Sequence, residues 1–503
     1  KQFKQNKLVK FFTNRYVIIF IGFSIWMFFF DENSYLVHKE FNKEIDELET
    51  AIDFYKKKIK EDKLTIKNLT AAWKQKIQVD LKGADYNDTL LWKTDEDIVV
   101  KPFYTKEDRK NSSSTEEKFN CNISQSIFIN DEKIANYIAL NALEKGANAI
   151  EFIANKTFDY KTILKKIDTN QTALYFRFHF LDATFITEVS KFVNSKNCFI
   201  QVDIINNLAQ SGNWFSNLKA DHLAFENIVN SCNNSIGIDA TLYQNAGATI
   251  TQQLAYALAH ANEYLNHFGK EIASKFHFNF AIGSNYFFEI AKLKAFRVLW
   301  KSLLNEYDIE EVNAHIFAQP TLRNKTIYDY NVNMLRTTSE CMILGGANTI
   351  NNVSYDSVFH KKNEFGERIA RNQLLILQQE SYLGNANTFA NGSYYIESIT
   401  YQLAEKALQI FKDIEKSGGF LKQLKQGVIQ RKITESATKE QEKFDRKEIV
   451  LLGTNKQVNK DDLMKNEIEI YPFVKIKPIK TLVSPLIKKR LSEAIEKNRI
   501  NSE

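Results

Sequence analysis

The sequence contains few residues that break or cross-link a polypeptide chain. Among 503 residues there are 5 prolines, 17 glycines and 4 cysteines. So little proline and glycine argues against long flexible segments. The cysteines are Cys121, Cys198, Cys232 and Cys341, and no two of them form a C-x-x-C pair. The sequence therefore indicates neither a zinc site nor a disulfide framework, and reduced, buried thiols fit a cytosolic protein.

An excess of charge of one sign is also lacking. The chain has 67 Lys and Arg residues against 61 Asp and Glu, a formal charge of +6, and no basic run is interleaved with aromatic residues. This composition argues against a nucleic-acid-binding protein. Hydrophobic residues make up 44% and charged residues 25%, as in globular proteins. The length allows one large domain with an appendage, or two to three ordinary domains.

One long apolar run is present near the start of the chain. Tyr16–Phe30 contains no charged residue, follows basic residues such as Lys10 and Arg15, and precedes Asp31 and Glu32. The small residues of a signal-peptide cleavage site are missing from it. Residues 11–30 therefore predict a single membrane span with its amino terminus inside, the alternative being a buried core helix.

Apolar residues at heptad spacing follow this run. The two seam positions are taken by Ile45, Ile52, Ile59 and Ile66, and by Phe41, Leu48, Tyr55 and Leu69. This spacing predicts a coiled coil, although an amphipathic helix packed on its own domain would give a similar pattern. Together the basic tail, the apolar run and the heptad resemble, over residues 8–62, the septum formation initiator family of bacterial division proteins. That resemblance implies pairing with other division proteins through residues 41–69, and no catalytic site.

Short apolar runs alternate with amphipathic stretches from Trp73 onward. The runs are Ala149–Ile153, Ala173–Phe178, Cys198–Ile204, Ile236–Leu242, Phe276–Ile282, Ala314–Ala318 and Ile343–Ile350. Strand and helix repeated about seven times predict an α/β fold, a (β/α)8 TIM-type barrel, with the eighth strand not located. Because no glycine-rich phosphate loop follows a strand, a dinucleotide-binding fold or a P-loop is not indicated.

Several long blocks resemble the methylmalonyl-CoA mutases, and in particular their small subunit. The blocks are WKQKIQVDLKGADYNDTLLW (Trp73–Trp92), VKPFYTKED (Val100–Asp108), IGSNYFFEIAKLKAFRVLW (Ile282–Trp300), RIARNQLLILQQES (Arg368–Ser381) and NGSYYIESITYQLAEKA (Asn391–Ala407). They occur in the order that the family has. In the third block, Glu289, Lys292, Lys294 and Arg297 lie mostly off the apolar stripe, which predicts a solvated helix face.

This resemblance implies radical chemistry on adenosylcobalamin, but not in this chain. Catalytic family members hold the cofactor on a carboxyl-terminal domain, through the His of an Asp-x-His-x-x-Gly loop. None of the eight histidines here stands two residues after an Asp. The resemblance therefore implies that adenosylcobalamin lies on a large catalytic partner subunit, in a heterodimer, and that this chain binds neither cofactor nor metal.

The family's substrate-contacting residues are also altered. A Tyr-His pair before a QEAGA stretch is expected, and Thr241 and Leu242 stand there. In place of the Gln and His of a TQSLHTN stretch stand Asn348 and Asn351. Leucine can neither donate a hydrogen bond nor polarise a carbonyl. These four positions therefore predict a degenerate site, so that this chain alone is not catalytic.

The predicted domains have conflicting locations. They are a basic tail and membrane helix (1–30), a coiled coil (31–69), a mutase amino-terminal arm (70–115), a mutase barrel (116–440) and an extension without a cobalamin domain (441–503). A membrane span with its amino terminus inside would export the barrel, whereas a mutase that uses CoA thioesters belongs in the cytoplasm. Two hypotheses follow: a cytoplasmic mutase small subunit, or a membrane-tethered division protein fused to a non-catalytic barrel. The conflict predicts a junction of two reading frames between residues 60 and 72.

Overall fold

The computed structural model describes residues 10–29, 35–109, 118–310, 312–328, 332–475 and 479–503. The side chains at 35–38, 66, 332 and 333 also lie outside the described set. By its internal contacts the chain divides into two units, Lys1–Leu91 and Trp92–Glu503.

The first unit is helical, with helices α1 (Arg15–Phe29), α2 (Tyr35–Asp80) and α3 (Tyr86–Leu90). Helix α1 has 15 residues, which at a rise of 1.5 Å per residue gives about 22 Å, less than the ~30 Å hydrocarbon core of a bilayer. No helix within the described residues is long and apolar enough to cross a membrane. The predicted membrane span is therefore not supported; the predicted flanks at 1–9 and 30–34 lie outside the described residues.

Helix α2 runs without interruption through 46 residues, past the end of the predicted coiled coil and through residues 60–72. Its heptad residues are exposed, among them Ile45, Leu48, Ile52 and Ile59. Within the described residues no second helix covers this stripe, and the predicted coiled coil is not supported. The side chain of Ile66, which the heptad also includes, lies outside the described set.

The second unit contains a small hairpin and an eight-stranded parallel sheet. The hairpin consists of β1 (Trp92–Lys93) and β2 (Val99–Val100). The parallel strands are β3 (Asn122–Phe128), β4 (Ala149–Ala154), β5 (Ala173–Phe178), β6 (Cys198–Gln201), β7 (Ile236–Asp239), β8 (Phe276–Ile282), β9 (His315–Pro320) and β10 (Thr349–Asn351). Their order is β6-β5-β4-β3-β10-β9-β8-β7. The ends β6 and β7 are joined by a 2.9 Å hydrogen bond from Ile200 N to Asn234 O, so the sheet is a nearly closed TIM-type barrel, as predicted.

Helices alternate with these strands. They are α4 (Glu132–Glu144), α5 (Tyr160–Ile163), α6 (Ala183–Val193), α7 (Ile204–Ser211), α8 (Leu218–Ser231), α9 (Thr241–Asn245), α10 (Ile250–Phe268), α11 (Tyr286–Asn305), α12 (Val332–Leu344), α13 (Glu364–Gln379), α14 (Tyr394–Lys416), α15 (Phe420–Lys425), α16 (Val428–Asp445) and α17 (Glu493–Ser502). Three short 3₁₀ helices are Lys106–Asp108, Lys270–Lys275 and Ala386–Thr388. Aspartates cap several helices that follow strands: the side chains of Asp182 and Asp203 accept hydrogen bonds from the first-turn amides of α6 and α7. The main hydrophobic core lies between the outer face of the sheet and these helices.

The strand missing from the sequence analysis is β3, which carries Ser124 and Ser126. These hydroxyls point into the barrel, so the strand lacks the continuous apolar run of its neighbours. Three predicted strands were also too long. The first, β6, ends at Gln201, and Ile204 begins helix α7. Residues after Asp239 begin helix α9, and Ile343 and Leu344 complete helix α12, leaving Thr349–Asn351 as the strand.

The predicted solvated face of helix α11 is wrong for its first three turns. Glu289, Lys292 and Lys294 are buried, because this helix packs between the barrel and α14. The Lys292 ammonium forms an ion pair with Glu289 and donates hydrogen bonds to Ala281 O at 2.7 Å and Gln244 Oε1 at 3.1 Å. Burial lowers the pKa of Lys292, against the opposing effect of Glu289.

Candidate functional site

Inward-facing side chains form an aromatic layer in the amino-terminal half of the barrel. Tyr175 and Phe199 stack with ring centroids 4.6 Å apart, and Phe199 stacks on His315 at 4.2 Å. From the opposite side, Phe317 meets the Tyr175 ring edge-on at 4.8 Å. All three Phe and Tyr residues are buried. The barrel axis is therefore filled at this level by the chain's own rings.

The Tyr175 hydroxyl ties this layer together across the barrel. It lies 2.7 Å from His315 Nε2 on β9 and 2.7 Å from Thr349 Oγ1 on β10. On β8, His277 lies beside His315 in the strand register and its Nε2 is 3.0 Å from Ile200 O. Burial lowers the pKa of His277 to about 4 and that of His315 to about 3. Both imidazoles are thus neutral at pH 7.

Because both histidines are neutral in the folded protein, we predict that the protein loses stability in acid. A histidine with a depressed folded-state pKa stabilises the fold above the unfolded pKa of about 6.5, and this contribution is lost as the pH falls. We expect His315→Gln to flatten the fall in the free energy of unfolding between pH 6 and pH 4, by up to about 1.4 kcal/mol per pH unit. Denaturant unfolding of the wild type and of the His315→Gln variant across this pH range measures the difference between the two slopes. Equal slopes would contradict the neutral, buried assignment of His315.

An ionic layer lies above the aromatic one, towards the carboxyl ends of the strands. Arg177 on β5 bonds Glu151 on β4, with both Nε and Nη2 2.8 Å from Oε1. Its Nη1 reaches 3.0 Å to Asp239 Oδ2 on β7. The carboxylates are 2% and 4% exposed. Burial acts to raise the pKa of Asp239, but Arg177 and then Lys488 outweigh it, so that pKa is lowered and the group is ionised.

Hydrogen bonds extend this layer in both directions. Ser126 Oγ donates to Glu151, and the amide of Asn351 lies 2.8 Å from Ser126 Oγ. On the other side, Thr241 donates from Oγ1 to Asp239 Oδ1 at 2.5 Å and from its backbone N at 3.1 Å. The structure therefore places Thr241 and Asn351, two positions singled out from the sequence, at opposite ends of one polar network.

The other two predicted positions lie elsewhere. Leu242 is fully buried in the main hydrophobic core, so it does not face the barrel interior. Asn348 precedes β10 at the amino-terminal end of the barrel. There its side-chain oxygen accepts hydrogen bonds from Ile316 N at 2.8 Å and Arg297 Nη2 at 3.0 Å. Asn348 thus connects β9 to its neighbours at the amino-terminal end of the barrel, whereas the ionic layer lies towards the carboxyl-terminal end.

A carboxyl-terminal segment, residues 481–491, runs along the carboxyl-terminal end of the barrel; we name it the strap. Its backbone amides donate to the short helices α7 and α9 that follow β6 and β7, and to the loop after β9. These bonds are Leu482 N and Val483 N to Gly212 O (3.0 and 3.1 Å), Leu486 N to Ala209 O (2.8 Å), Lys489 N to Asn245 O (3.0 Å) and Leu491 N to Arg323 O (3.0 Å). Active sites of (β/α)8 enzymes lie at this end of the barrel. In this protein its own strap lies there.

Glycine is required where the strap meets the barrel. Gly212 ends helix α7 with a φ of +81°, and a Cβ there would lie 2.6 Å from Val483 O. Inside the barrel, a Cβ on Gly237 would lie 2.5 Å from His277 Cε1. Both positions allow a close approach that any larger residue would block.

The charged pair on β4 and β5 was visible in the sequence but not recognised. Glu151 and Arg177 each interrupt an apolar strand, AIEFIA and ALYFRF. A charge within such a run must be paired if it is buried. Barrel strands turn alternate residues to the interior. A charged residue that interrupts an apolar strand therefore indicates a buried ion pair inside the barrel.

Four of the described histidines do not fit cobalt ligation. His260, His277 and His315 are enclosed: the first bonds Tyr243 and Asp203, and the other two belong to the aromatic layer. His360 bonds Asp356 Oδ2 at 3.2 Å, four residues earlier in the chain, not through an Asp-x-His loop. No group of three or more His, Cys, Asp or Glu within the described residues could hold a metal ion. The environment of these four histidines does not suit a corrin.

Fold and interior together define the class: a (β/α)8-barrel protein whose axis and carboxyl-terminal end are occupied by its own side chains and strap. The family profile of methylmalonyl-CoA mutase matches residues 155–492, from the end of β4 through the strap. The chain therefore belongs to the methylmalonyl-CoA mutase family, an isomerase family.

Curated relatives include both subunit types. The methylmalonyl-CoA mutase small subunit of Porphyromonas gingivalis is 30% identical over 79% of this chain and 71% of its own length. The large subunit of the same organism is 32% identical over 44% of this chain and 33% of its own length. The methylmalonyl-CoA mutase of Rhizobium meliloti is 37% identical over 44% of this chain and 33% of its own length. The chain thus spans about one third of the latter two relatives.

The remaining comparisons add little. The dihydropteroate synthase of Yersinia pestis has 11% identity and a TM-score of 0.30 over 52% of this chain and 93% of that chain, a likeness too weak to bear on function. The resemblance of residues 8–62 to the septum formation initiator family is not supported, and neither is the alternative of a division protein with a barrel attached.

Proposed function

We propose that this chain is the non-catalytic small subunit of a cytoplasmic methylmalonyl-CoA mutase. It would pair with a large subunit that carries adenosylcobalamin and interconverts methylmalonyl-CoA and succinyl-CoA. The observation that carries the proposal is the ionic layer under the strap. A barrel enzyme must admit its substrate to the carboxyl-terminal end of the strands, and here Arg177, Glu151, Asp239 and the strap occupy that region.

Three further observations support this role. The small-subunit relative covers more of this chain than the large-subunit relative does, 79% against 44%. Of the four degenerate positions, Leu242 lies in the core and Asn348 at the opposite end of the barrel. Thr241 and Asn351 are engaged in structural hydrogen bonds rather than open to a substrate. When bound to the large subunit, adenosylcobalamin would supply the radical that starts the rearrangement.

Co-expression with the large mutase subunit of the source organism tests the proposal. We expect one heterodimer on size-exclusion chromatography, with turnover of methylmalonyl-CoA that requires the large subunit. Turnover by this chain alone, supplied with adenosylcobalamin at a rate comparable to that of the complex, would contradict the proposal. Absence of any complex between the two chains would contradict it as well.

The degenerate positions give a sharper prediction. We expect Asn351→Ala to leave kcat of the heterodimer within about twofold of the wild-type value, because a residue without a transition-state contact does not change it. The matched variant Thr241→Val removes the other end of the network and should behave in the same way. A fall of 100-fold or so in an intact heterodimer would mean that this barrel takes part in the chemistry.

A further inference from the structure

Two histidines from different helices lie ring to ring on the outside of the barrel. His222 belongs to α8 and His267 to the last turn of α10. Their ring centroids are 5.0 Å apart, with an angle of 68° between the ring planes. His222 is half-buried and His267 is exposed, so a small ion can reach the pair from solvent.

The distance between the rings is the one that a shared metal ion requires. Zinc lies about 2.0–2.1 Å from an imidazole nitrogen, and hence about 3.2 Å from the ring centroid. Two imidazoles at about 90–110° around one ion, the angles of octahedral and tetrahedral coordination, therefore have centroids about 4.5–5.2 Å apart. The separation of 5.0 Å between His222 and His267 falls within that range.

The hydrogen bond of His222 leaves its other nitrogen available to a metal. Nδ1 lies 2.8 Å from Leu218 O, and because a carbonyl oxygen can only accept, Nδ1 carries the proton. Burial lowers the pKa of His222, with His267 and Lys425 acting in the same direction, and together they outweigh the Leu218 bond and Asp221. The ring is therefore neutral at pH 7, with a lone pair on Nε2. Metal-ligating histidines commonly donate their second N–H to a backbone carbonyl in this way.

Packing between the two helices holds the backbones of both histidines in place. Phe225, one turn after His222, is fully buried and contacts the rings of Tyr264 and Phe268, with centroids 5.0 and 5.9 Å away. These two residues lie on either side of His267 along α10. The χ2 torsion of a histidine is soft, so the exposed His267 ring can turn a nitrogen towards the ion while both helices stay fixed.

The chain supplies two ligands here. The carboxylate of Asp221, next to His222, is already bonded by Phe215 N at 2.7 Å and Ser216 N at 3.0 Å. In the part of the chain that the structure describes, no group of three or more His, Cys, Asp or Glu could hold a metal ion, so water fills the remaining coordination positions. Imidazole nitrogens favour Zn²⁺, Ni²⁺ and Cu²⁺ over Mg²⁺ and Ca²⁺, which prefer oxygen ligands.

We propose that His222 and His267 form a surface site for one divalent transition-metal ion of the zinc class. Helix α8 lies between β6 and β7 in the chain, and α10 follows β7. The ion therefore links the helices on either side of β7, next to the joint that no ladder closes, and braces that joint from outside. The proposal does not depend on the mutase role, and it is tested on this chain without a large subunit.

Copper(II) is the probe that reports its own ligands. We expect the wild-type chain to bind one Cu²⁺ with an electron paramagnetic resonance spectrum that shows coupling to two imidazole nitrogens. His222→Gln and His267→Gln should each weaken binding at least about tenfold, as expected when a ligand is lost, and should remove the two-nitrogen pattern. His360→Gln is the matched control: that ring bonds Asp356 elsewhere in the fold, so its affinity and spectrum should equal those of the wild type.

Thermal unfolding gives a second measurement, which on the wild type needs no variant to fold. ZnCl₂ should raise the thermal midpoint with saturation, as a ligand that binds only the folded state does, whereas MgCl₂ at the same ionic strength should not. The zinc response should be lost in the double variant His222→Gln/His267→Gln. Either of two results would overturn the proposal: equal responses of the wild type to the two salts, or copper affinity and spectra in the His222 and His267 variants equal to those of His360→Gln.

Discussion

Replacing Arg177 with methionine should lower the free energy of unfolding by about 3–5 kcal/mol, the range found when one partner of a buried ion pair is removed. Arg177 holds Glu151 and Asp239 at 2.8 and 3.0 Å. Methionine fills much of the same volume but leaves two carboxylates facing each other in the barrel. Denaturant unfolding followed by circular dichroism measures the loss.

The matched control removes the charges instead of the cation alone. In Arg177→Met combined with Glu151→Gln and Asp239→Asn, no carboxylate is left unpaired, so we expect at least about half of the lost stability to return. If Arg177→Met alone cost less than about 1 kcal/mol, the pair would behave as an exposed one. The barrel would then have to be open to water at this level.

The second large effect is expected at the base of the strap. Arg490 and Glu496 are 1% and 0% exposed, and Arg490 Nη1 lies 2.6 Å from Glu496 Oε2. Arg490 also donates to Lys325 O at 3.0 Å. Arg490→Met should therefore cost about 3–5 kcal/mol by leaving Glu496 buried and unpaired. Arg446→Met breaks an exposed pair with Glu448 and should cost less than about 1 kcal/mol.

The location of this effect can be measured as well as its size. Because Arg490 anchors the strap, its replacement should speed amide hydrogen exchange at Leu482, Val483 and Leu486, whose N–H groups bond helix α7 and the glycine that ends it. Exchange in the central strands should change only as much as the global stability does. Unchanged protection of the strap in a destabilised Arg490→Met variant would show that Arg490 does not hold the strap.

The barrel could be predicted from the sequence because seven of its strands are predominantly apolar runs. The eighth, β3, was missed because its hydroxyls face a polar interior, so its alternation resembles a surface segment. For helix α11 the prediction was wrong in the opposite direction. Charges off its apolar stripe suggested solvent, yet Lys292 bonds β8 and α9 and Lys294 bonds the segment before α14. Periodicity indicates which face is most apolar, but not how many neighbours a helix has.

The site was less predictable than the fold. Matching family blocks placed Leu242 at a catalytic position, although the chain turns it into the core. Arg177 and Glu151 could have been recognised from the sequence as charged residues inside apolar strands. The bond from Lys489 N to Asn245 O could not, because it joins residues 244 positions apart through a segment without regular secondary structure. Local pattern carries no information on such a pairing.

The strap has one more consequence, which concerns the joint between β6 and β7. These strands share no ladder, and the strap bonds Ala209 and Gly212 after β6 and then Asn245 after β7. It therefore acts as a clasp across the one open joint among the eight barrel strands. During synthesis the barrel strands emerge first, so the clasp can fasten only after residue 491 has left the ribosome. Until then the joint between β6 and β7 lacks the bonds of the strap, and an unpaired strand edge there would leave the nascent chain open to pairing with a neighbour.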